Sequence, residues 1–411
     1  MTIMKKTKIS LLSLSALMVT TATPAFAVPI VPTENVLRGF FGVNLHMDNC
    51  CGDYSDTNKV ISRLQYIGAR RVRDWPNNDG LVNKWVAIRA ATGVTFHASM
   101  SQSSPDGQRR ALTRTQNWIK TYPGLIDVIE GTNEPDTAPA AALGGSLADS
   151  ARFQTDVYNA GVGLGIKVDQ LSVGAGWTAP LWEGNYKNFG KPPAHYGNAH
   201  TYPNPGVIPS AALKRIGELA AYSVDGKPVD HTEFGIMQST KQTDDVNSAF
   251  MHIAPFSAYL LGSTGLSVYA LTDDSTNVVG FYKMDGTKRA FADYWHHTTR
   301  LLSDPNGKNL HSGNVNITFT NQKAAGVAPA GIKNVVMYKS NKSIWIATYD
   351  EEKPGAVAGS QTIKFNKIYP YVRVWDGRTG LLVNTFRNIG TLNINLPINH
   401  VFLVELSGSP S

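Results

Sequence analysis

A chain of 411 residues that is 42% hydrophobic and only 17% charged is too apolar to be disordered, and it is long enough for two domains. Its formal charge is +7 and falls to +4 if the first 27 residues are removed; this excludes a strongly basic nucleic-acid binder and still tolerates an acidic substrate. The two cysteines, Cys50 and Cys51, are neighbours, so no disulfide framework can staple the fold and a large apolar core must hold it.

The N-terminus reads first. Lys5, Lys6 and Lys8 precede an apolar run from Ile9 to Val19, and Ala25-Phe26-Ala27 supplies small residues at a cleavage position. That order predicts a secretory signal peptide over 1–27 and an exported mature chain. The apolar run is too short for a bilayer, which needs roughly 20 residues, and no later segment approaches that length, so no membrane span is expected.

From about residue 38, β-like and helix-like runs alternate. Strands are expected at 40–46, 70–75, 94–101, 126–132, 171–175, 195–202, 229–234 and 266–271. Helices fall between them; Val60, Leu64 and Ile67, for example, lie at i, i+4, i+7 and line one apolar face. Eight units over 40–302 predict a (β/α)₈ barrel, a fold of typically ~250 residues. A doubly wound open sheet is the rival, but no Gly-rich dinucleotide fingerprint follows the first strand. After Leu302 short alternating strands are separated by Gly-, Asn- and Pro-rich turns, the pattern of an all-β sandwich over 303–411. The expected organisation is a signal peptide (1–27), a catalytic barrel (28–302) and a β-sandwich, with 28–37 lending the sandwich an edge strand.

In a barrel of this kind chemistry sits at the C-terminal ends of the strands. Ile129-Glu130-Gly131-Thr132-Asn133-Glu134-Pro135-Asp136 ends the fourth strand and places a carboxylate at the mouth, beside an amide able to bind a hydroxyl. His231-Thr232-Glu233-Phe234-Gly235 ends the seventh and brings a second. Either alone reads as a solvated acid or an arginine's partner. Together, across one mouth, they supply what glycoside hydrolysis needs: one carboxylic acid to protonate the leaving oxygen and one carboxylate to attack the anomeric carbon.

With these strings, and with His200-Thr201-Tyr202 on the sixth strand, the barrel resembles the clan of retaining (β/α)₈ glycoside hydrolases whose catalytic glutamates lie on strands four and seven, in particular families 5, 30 and 39. The resemblance implies Glu134 as acid/base and Glu233 as nucleophile. It implies Asn133 on the sugar 2-hydroxyl, Tyr202 donating to the nucleophile, His200 lining the site, and Arg73 contacting the nucleophile. A rim salt bridge with Asp74 is the plainer reading of Arg73. The chain departs from the clan on strand eight, where many members carry a tryptophan platform and this one has Val268-Tyr269-Ala270-Leu271.

Further candidates for sugar contact are His46, His97, Trp75 and Tyr269, with Trp177 and Trp182 as outer platforms; barrel packing is the alternative for each. Asp273-Asp274 reads as a helix-capping pair. His296-His297 sits within a helix, where neighbours do not share a face, and is not a metal site. No metal or cofactor is expected. The expected activity is cofactor-free, retaining hydrolysis of a β-linked bacterial extracellular polysaccharide or oligosaccharide. A transglycosylase using the same pair and a binding-only barrel stay open, and the sequence sets no oligomeric state. Cys50-Cys51 is expected as a vicinal disulfide, with two buried thiols or an interchain bridge as alternatives.

Overall fold

The computed structural model describes residues 27–48, 52–100, 104–136, 146–174, 185–236, 243–273, 279–323 and 331–409. Residues 1–26 of the expected signal peptide, Cys50, Cys51, Trp177, Trp182 and Asp274 lie outside the described residues; Ala27, the last residue of that peptide, opens a strand.

Eight parallel strands form one sheet: β2 (Gly42–Asn44), β3 (Arg71–Asp74), β4 (Thr95–Ser99), β5 (Ile126–Glu130), β6 (Lys167–Asp169), β7 (Gly197–Thr201), β8 (Val229–Phe234) and β9 (Gly265–Val268). Their order is β6-β5-β4-β3-β2-β9-β8-β7, and a parallel bridge between Asp169 and Tyr196 joins the two edges. Gln170 N donates to Tyr196 O at 3.0 Å across that seam. The sheet is therefore a closed (β/α)₈ barrel, as the alternation predicts. Helices α2 (Thr57–Ile67), α3 (Leu81–Thr92), α4 (Pro105–Thr121), α5 (Leu147–Leu164), α6 (Pro209–Tyr222), α7 (Asp244–Leu260) and α8 (Ala290–Leu302) surround it, with α1 (Thr33–Phe40) leading in.

The helices start and stop where their sequences say. Asp56 caps α2 through its carboxylate on Asn58 N and Lys59 N, and Gly68 ends it in the left-handed conformation a glycine adopts freely. The buried Val60, Leu64 and Ile67 are the apolar face read from their spacing. Behind α3, Trp85 is fully buried, stacked on Phe96 with ring centroids 4.3 Å apart and meeting Trp118 edge-on at 5.2 Å.

Two strand expectations shift. Residues 33–40 form helix α1 rather than strand, because Thr33, Glu34, Val36, Leu37 and Phe40 fall on one buried face; this shortens the first barrel strand to 42–44. The fifth barrel strand is 167–169, not 171–175, since Val168 supplies the ladder and 170–174 already turns into the mouth.

The C-terminal strands are β10 (Gly313–Gln322), β11 (Ile332–Tyr338), β12 (Ile344–Asp350), β13 (Gly359–Asp376), β14 (Leu382–Leu396) and β15 (Phe402–Ser407). Strand β1 (Ala27–Pro32) joins them between β10 and β11, antiparallel to the first and parallel to the second. It is an inner strand, not an edge. Strand β10 pairs with β1 through its first half and with β13 through its second, so it crosses between the two layers and closes one corner of the sandwich. Period-two alternation divides β11 and β12 between two cores. Val335, Met337, Trp345, Ala347 and Tyr349 pack with the barrel helices, while Val336 and Ile346 fill the sandwich interior.

Candidate active site

The barrel interior under the mouth is polar, where branched apolar side chains are usual. Arg73 organises it. Its side chain is 1% exposed; Nε donates to Glu130 Oε2 at 2.6 Å and Nη2 to Glu130 Oε1 at 2.7 Å. Nη1 donates to Glu233 Oε1 at 2.7 Å and Asn44 Oδ1 at 2.8 Å, and Nη2 also reaches Asn133 Oδ1 at 2.6 Å. Burial opposes the guanidinium's charge, but Glu130 and Glu233 outweigh it and hold its pKa above the ordinary value. Arg73 does not pair with Asp74. Adjacent strand residues face opposite ways, and Asp74 points out to Trp85 Nε1 (2.8 Å) and Met47 N (3.3 Å).

Glu233 ends β8, where Phe234 packs into the core and Gly235 leaves room for a ring. A Cβ on Gly235 would sit 2.9 Å from Tyr202 Cε1. Tyr202 OH therefore reaches Glu233 Oε2, donating at 2.6 Å. Burial first, then the charge of Glu233, raise the phenol's pKa well above its usual value, so it keeps the proton it donates. Each oxygen of Glu233 thus has its own donor.

Glu134 stands just past β5 with φ +44°, a left-handed conformation unusual for a residue with a side chain, and its backbone N donates to Ser172 Oγ at 3.1 Å. Asp136 ties the same loop down, accepting from Gly174 N at 2.8 Å and Asn185 Nδ2 at 2.6 Å. His200 bridges the two acids, its Nδ1 being 2.7 Å from Glu134 Oε1 and 3.4 Å from Glu233 Oε2. Burial pushes the imidazole toward the neutral form, but Glu233 and Glu134 prevail and its pKa is raised. A carboxylate oxygen of Glu134, one of Glu233 and a ring nitrogen of His200 all lie within 4.8 Å of one another. The Glu134 side chain is 25% exposed and that of Glu233 only 6%. One acid is open to solvent and the other is sunk among fixed donors.

Of the candidates, Glu134, Glu233, Asn133, Arg73, His200 and Tyr202 come together here. Beside them His46, Trp75 and Tyr269 form an aromatic wall, with His46 centred 4.9 Å from Trp75 and 5.2 Å from Tyr269, and Tyr269 6.4 Å from Tyr202. The Tyr269–Ala270 peptide is cis. His97 is not at the mouth. It lies wholly buried one layer below, where it packs in the barrel. Its Nδ1 meets Arg71, which can only donate, so its proton sits on Nε2, facing Asp169 at 3.3 Å and Glu130 at 3.4 Å. Burial, with Arg71 and Arg73, keeps it neutral.

Sequence reasoning missed Asn44 and Glu130. Strand parity held the signal, since Arg71 and Arg73 both point inward and their charges demand buried carboxylates. Asp273 is no helix cap: it forms a two-point pair with Arg289 at 2.8 and 2.7 Å. His296 stacks on Tyr66 while His297 packs against Gly380, so the two histidines face different neighbours.

Two groups among the described residues have metal-ligand spacing: His97, Asp169 and Asp230, and Glu134, His200 and Glu233. The first offers poor ligands, because His97 Nε2 carries its proton and Arg71 is already paired with Asp230 at 2.6 Å. The second is the pair of acids itself with His200 between them.

No protein-family model and no curated sequence matches the chain. Solved structures do. It is similar to a glucosidase from Croceicoccus marinus at 13% identity and TM-score 0.60, covering 92% of this chain and 97% of that one. The GH51 alpha-L-arabinofuranosidase of Thermotoga petrophila RKU-1 matches at 9% identity and TM-score 0.59, covering 93% and 100%. A monomeric beta-xylosidase from Caulobacter crescentus CB15 matches at 12% identity and TM-score 0.56, covering 92% and 97%. At such identities the likeness is one of fold: this chain shares, over nearly its whole length, the barrel-and-sandwich architecture of these glycoside hydrolases.

Proposed function

We propose that the protein is an exported glycoside hydrolase that cleaves β-linked carbohydrate, in the substrate class of bacterial extracellular polysaccharides, with retention of configuration. The observation that carries this reading is the pair itself: carboxylate oxygens of Glu134 and Glu233 within 4.8 Å, one acid accessible and one held by Arg73 and Tyr202. Retaining enzymes keep their two carboxyl groups ~5–5.5 Å apart, whereas inverting enzymes need ~6.5–9.5 Å to admit a water.

In this reading Glu233 attacks the anomeric carbon while Glu134 protonates the departing oxygen, giving a glycosyl-enzyme. Glu134 then takes a proton from the incoming water. Arg73 and Tyr202 favour the ionised nucleophile, and Asn133, oriented by Arg73, faces the sugar's 2-hydroxyl. His46, Trp75 and Tyr269 offer ring faces and edges to the sugar. Export follows from the basic, apolar and small-residue order of 1–27, and the shared architecture with the solved glycosidases supports the reaction class. No step needs a metal or cofactor.

A hydrolysis screen over purified polysaccharides and aryl glycosides, with product sizing and NMR of the first-formed anomer, tests this. A product of retained configuration supports the reading. An inverted product, or no cleavage of any glycoside, rejects it.

A further inference from the structure

Glu130 is wholly buried and cannot touch a substrate, yet it holds more of Arg73 than the proposed nucleophile does. The guanidinium has two working edges. The Nε–Nη2 edge lies flat against both oxygens of Glu130, and the Nη1 edge gives a single contact to Glu233. Asn44 and Asn133, with Ser99 Oγ at 3.3 Å from Nη2, take the remaining donor positions. A two-point carboxylate–guanidinium pair is the arrangement that fixes a guanidinium in one plane. A buried carboxylate in a barrel core is costly unless fully paired, and apolar side chains would fill the same space more cheaply.

We propose that Glu130 is a positioning residue for the nucleophile: it fixes the plane of Arg73 and divides that cation's charge, so that Glu233 is ionised without being held too firmly to attack. The role rests on the reading of Glu233 as nucleophile. In the transition state Glu233 gives up negative charge to the anomeric carbon. An Arg73 bound to Glu233 alone would stabilise the charge before attack more than during it, and that difference slows the chemical step.

The charged and titratable groups around this contact come from six strands and from the loop after β5, which brings a carboxylate oxygen of Glu134 within 4.8 Å of one of Glu233. Arg71 and Arg73 lie on β3, His97 on β4, Glu130 on β5 and Asp169 on β6. His200 on β7, with Tyr202 just beyond it, faces Glu233, and Asp230 and Glu233 lie on β8. Burial and then Asp230 push Asp169 well above the usual carboxylate range; burial, with Glu130, raises Asp230 against the pull of Arg71, and His97 is neutral. Glu130 is thus the acid bound directly to the non-nucleophilic edge of Arg73.

The test is Glu130→Gln with Glu130→Asp beside it. In Glu130→Gln the acid limb of the pH–rate profile moves down by about 1 unit, and kcat falls roughly tenfold with KM little changed. Glu130→Asp keeps the charge, so its limb stays near the wild type while kcat falls less. A Glu130→Gln limb that stays put or moves up overturns the proposal, as does a Glu130→Asp limb that follows it. If Glu130→Gln does not fold, Glu130→Asp decides alone, and unaltered kcat in it overturns the proposal.

Failure of the underlying reading shows separately, as a wild type that cleaves no glycoside. The proposed charge division can still be read in that event by ¹³C NMR of glutamate carboxyls, with the Glu233 signal identified from its loss in Glu233→Gln. Its titration midpoint should be lower in Glu130→Gln than in the wild type, and an equal or higher midpoint overturns the proposal.

Discussion

Replacing Tyr202 with Phe removes one hydroxyl and nothing else of consequence to the fold. That hydroxyl donates to Glu233 Oε2 at 2.6 Å, while Arg73 holds Oε1 at 2.7 Å and His200 Nδ1 stands farther off at 3.4 Å from Oε2. A hydrogen bond to a charged group contributes about 1.5–3 kcal/mol. Glu233 is 5% exposed, so solvent screening does not reduce that figure much. The bond favours the ionised carboxylate, and at 1.36 kcal/mol per pH unit its loss should raise the acid limb of kcat/KM by about 1–2 units. The sign is opposite to that expected for Glu130→Gln, which strengthens the hold on the same charge. The assay is kcat/KM on a chromogenic aryl glycoside across the acid and neutral range, with a thermal melt to establish folding. A rate loss uniform in pH, with the acid limb unmoved, would refute the claim that Tyr202 acts through the nucleophile's charge.

Three further outcomes are expected. Glu134→Ala should slow turnover by roughly 10²–10⁴-fold, and azide should restore it on activated aryl substrates as a β-glycosyl azide, identified by NMR. Trp85→Ala, which empties the fully buried site stacked on Phe96, should cost about 3–5 kcal/mol in urea unfolding. Asp74 has its pKa raised from 3.8 to about 7, burial being the main cause. The folded state therefore keeps a proton there that the unfolded chain has lost, and this residue's contribution to stability falls as pH rises through that window, by up to about 4 kcal/mol. Asp74→Asn, compared with the wild type by urea midpoints at about pH 4 and about pH 8, should flatten that slope.

The parts of the fold that were readable are those with a period or a punctuating residue. Val60, Leu64 and Ile67 identify α2, and Gly68 ends it in the left-handed conformation. Val229–Phe234 is a strand at the expected bounds. Helix α1 was not readable, because its eight residues show too few turns for a 3.6-residue period to stand out and its burial comes from tertiary packing. Nor was the length of β13 and β14, whose exposed stretches carry little apolar alternation; the ladder between them holds them on either side of an irregularity that contains Lys367 and Ile368.

In the site, the strings ending at Glu134 and Glu233 pointed to the mouth because strand ends converge there. Glu130 and Asn44 were silent for the same physical reason that hid the depth of His97. Which layer of a barrel an inward residue occupies depends on strand stagger, and stagger is set by pairing between strands distant in sequence.

Double displacement requires Glu233 to become covalently attached to the sugar. The most direct measurement incubates the protein with a 2-deoxy-2-fluoro β-glycoside bearing an activated leaving group, then maps the adduct by peptide mass spectrometry. A single sugar should appear on the peptide containing His231-Thr232-Glu233-Phe234, localised to Glu233, with no adduct in Glu233→Gln. A label on another residue, with Glu233 unmodified while activity is lost, would contradict that mechanism.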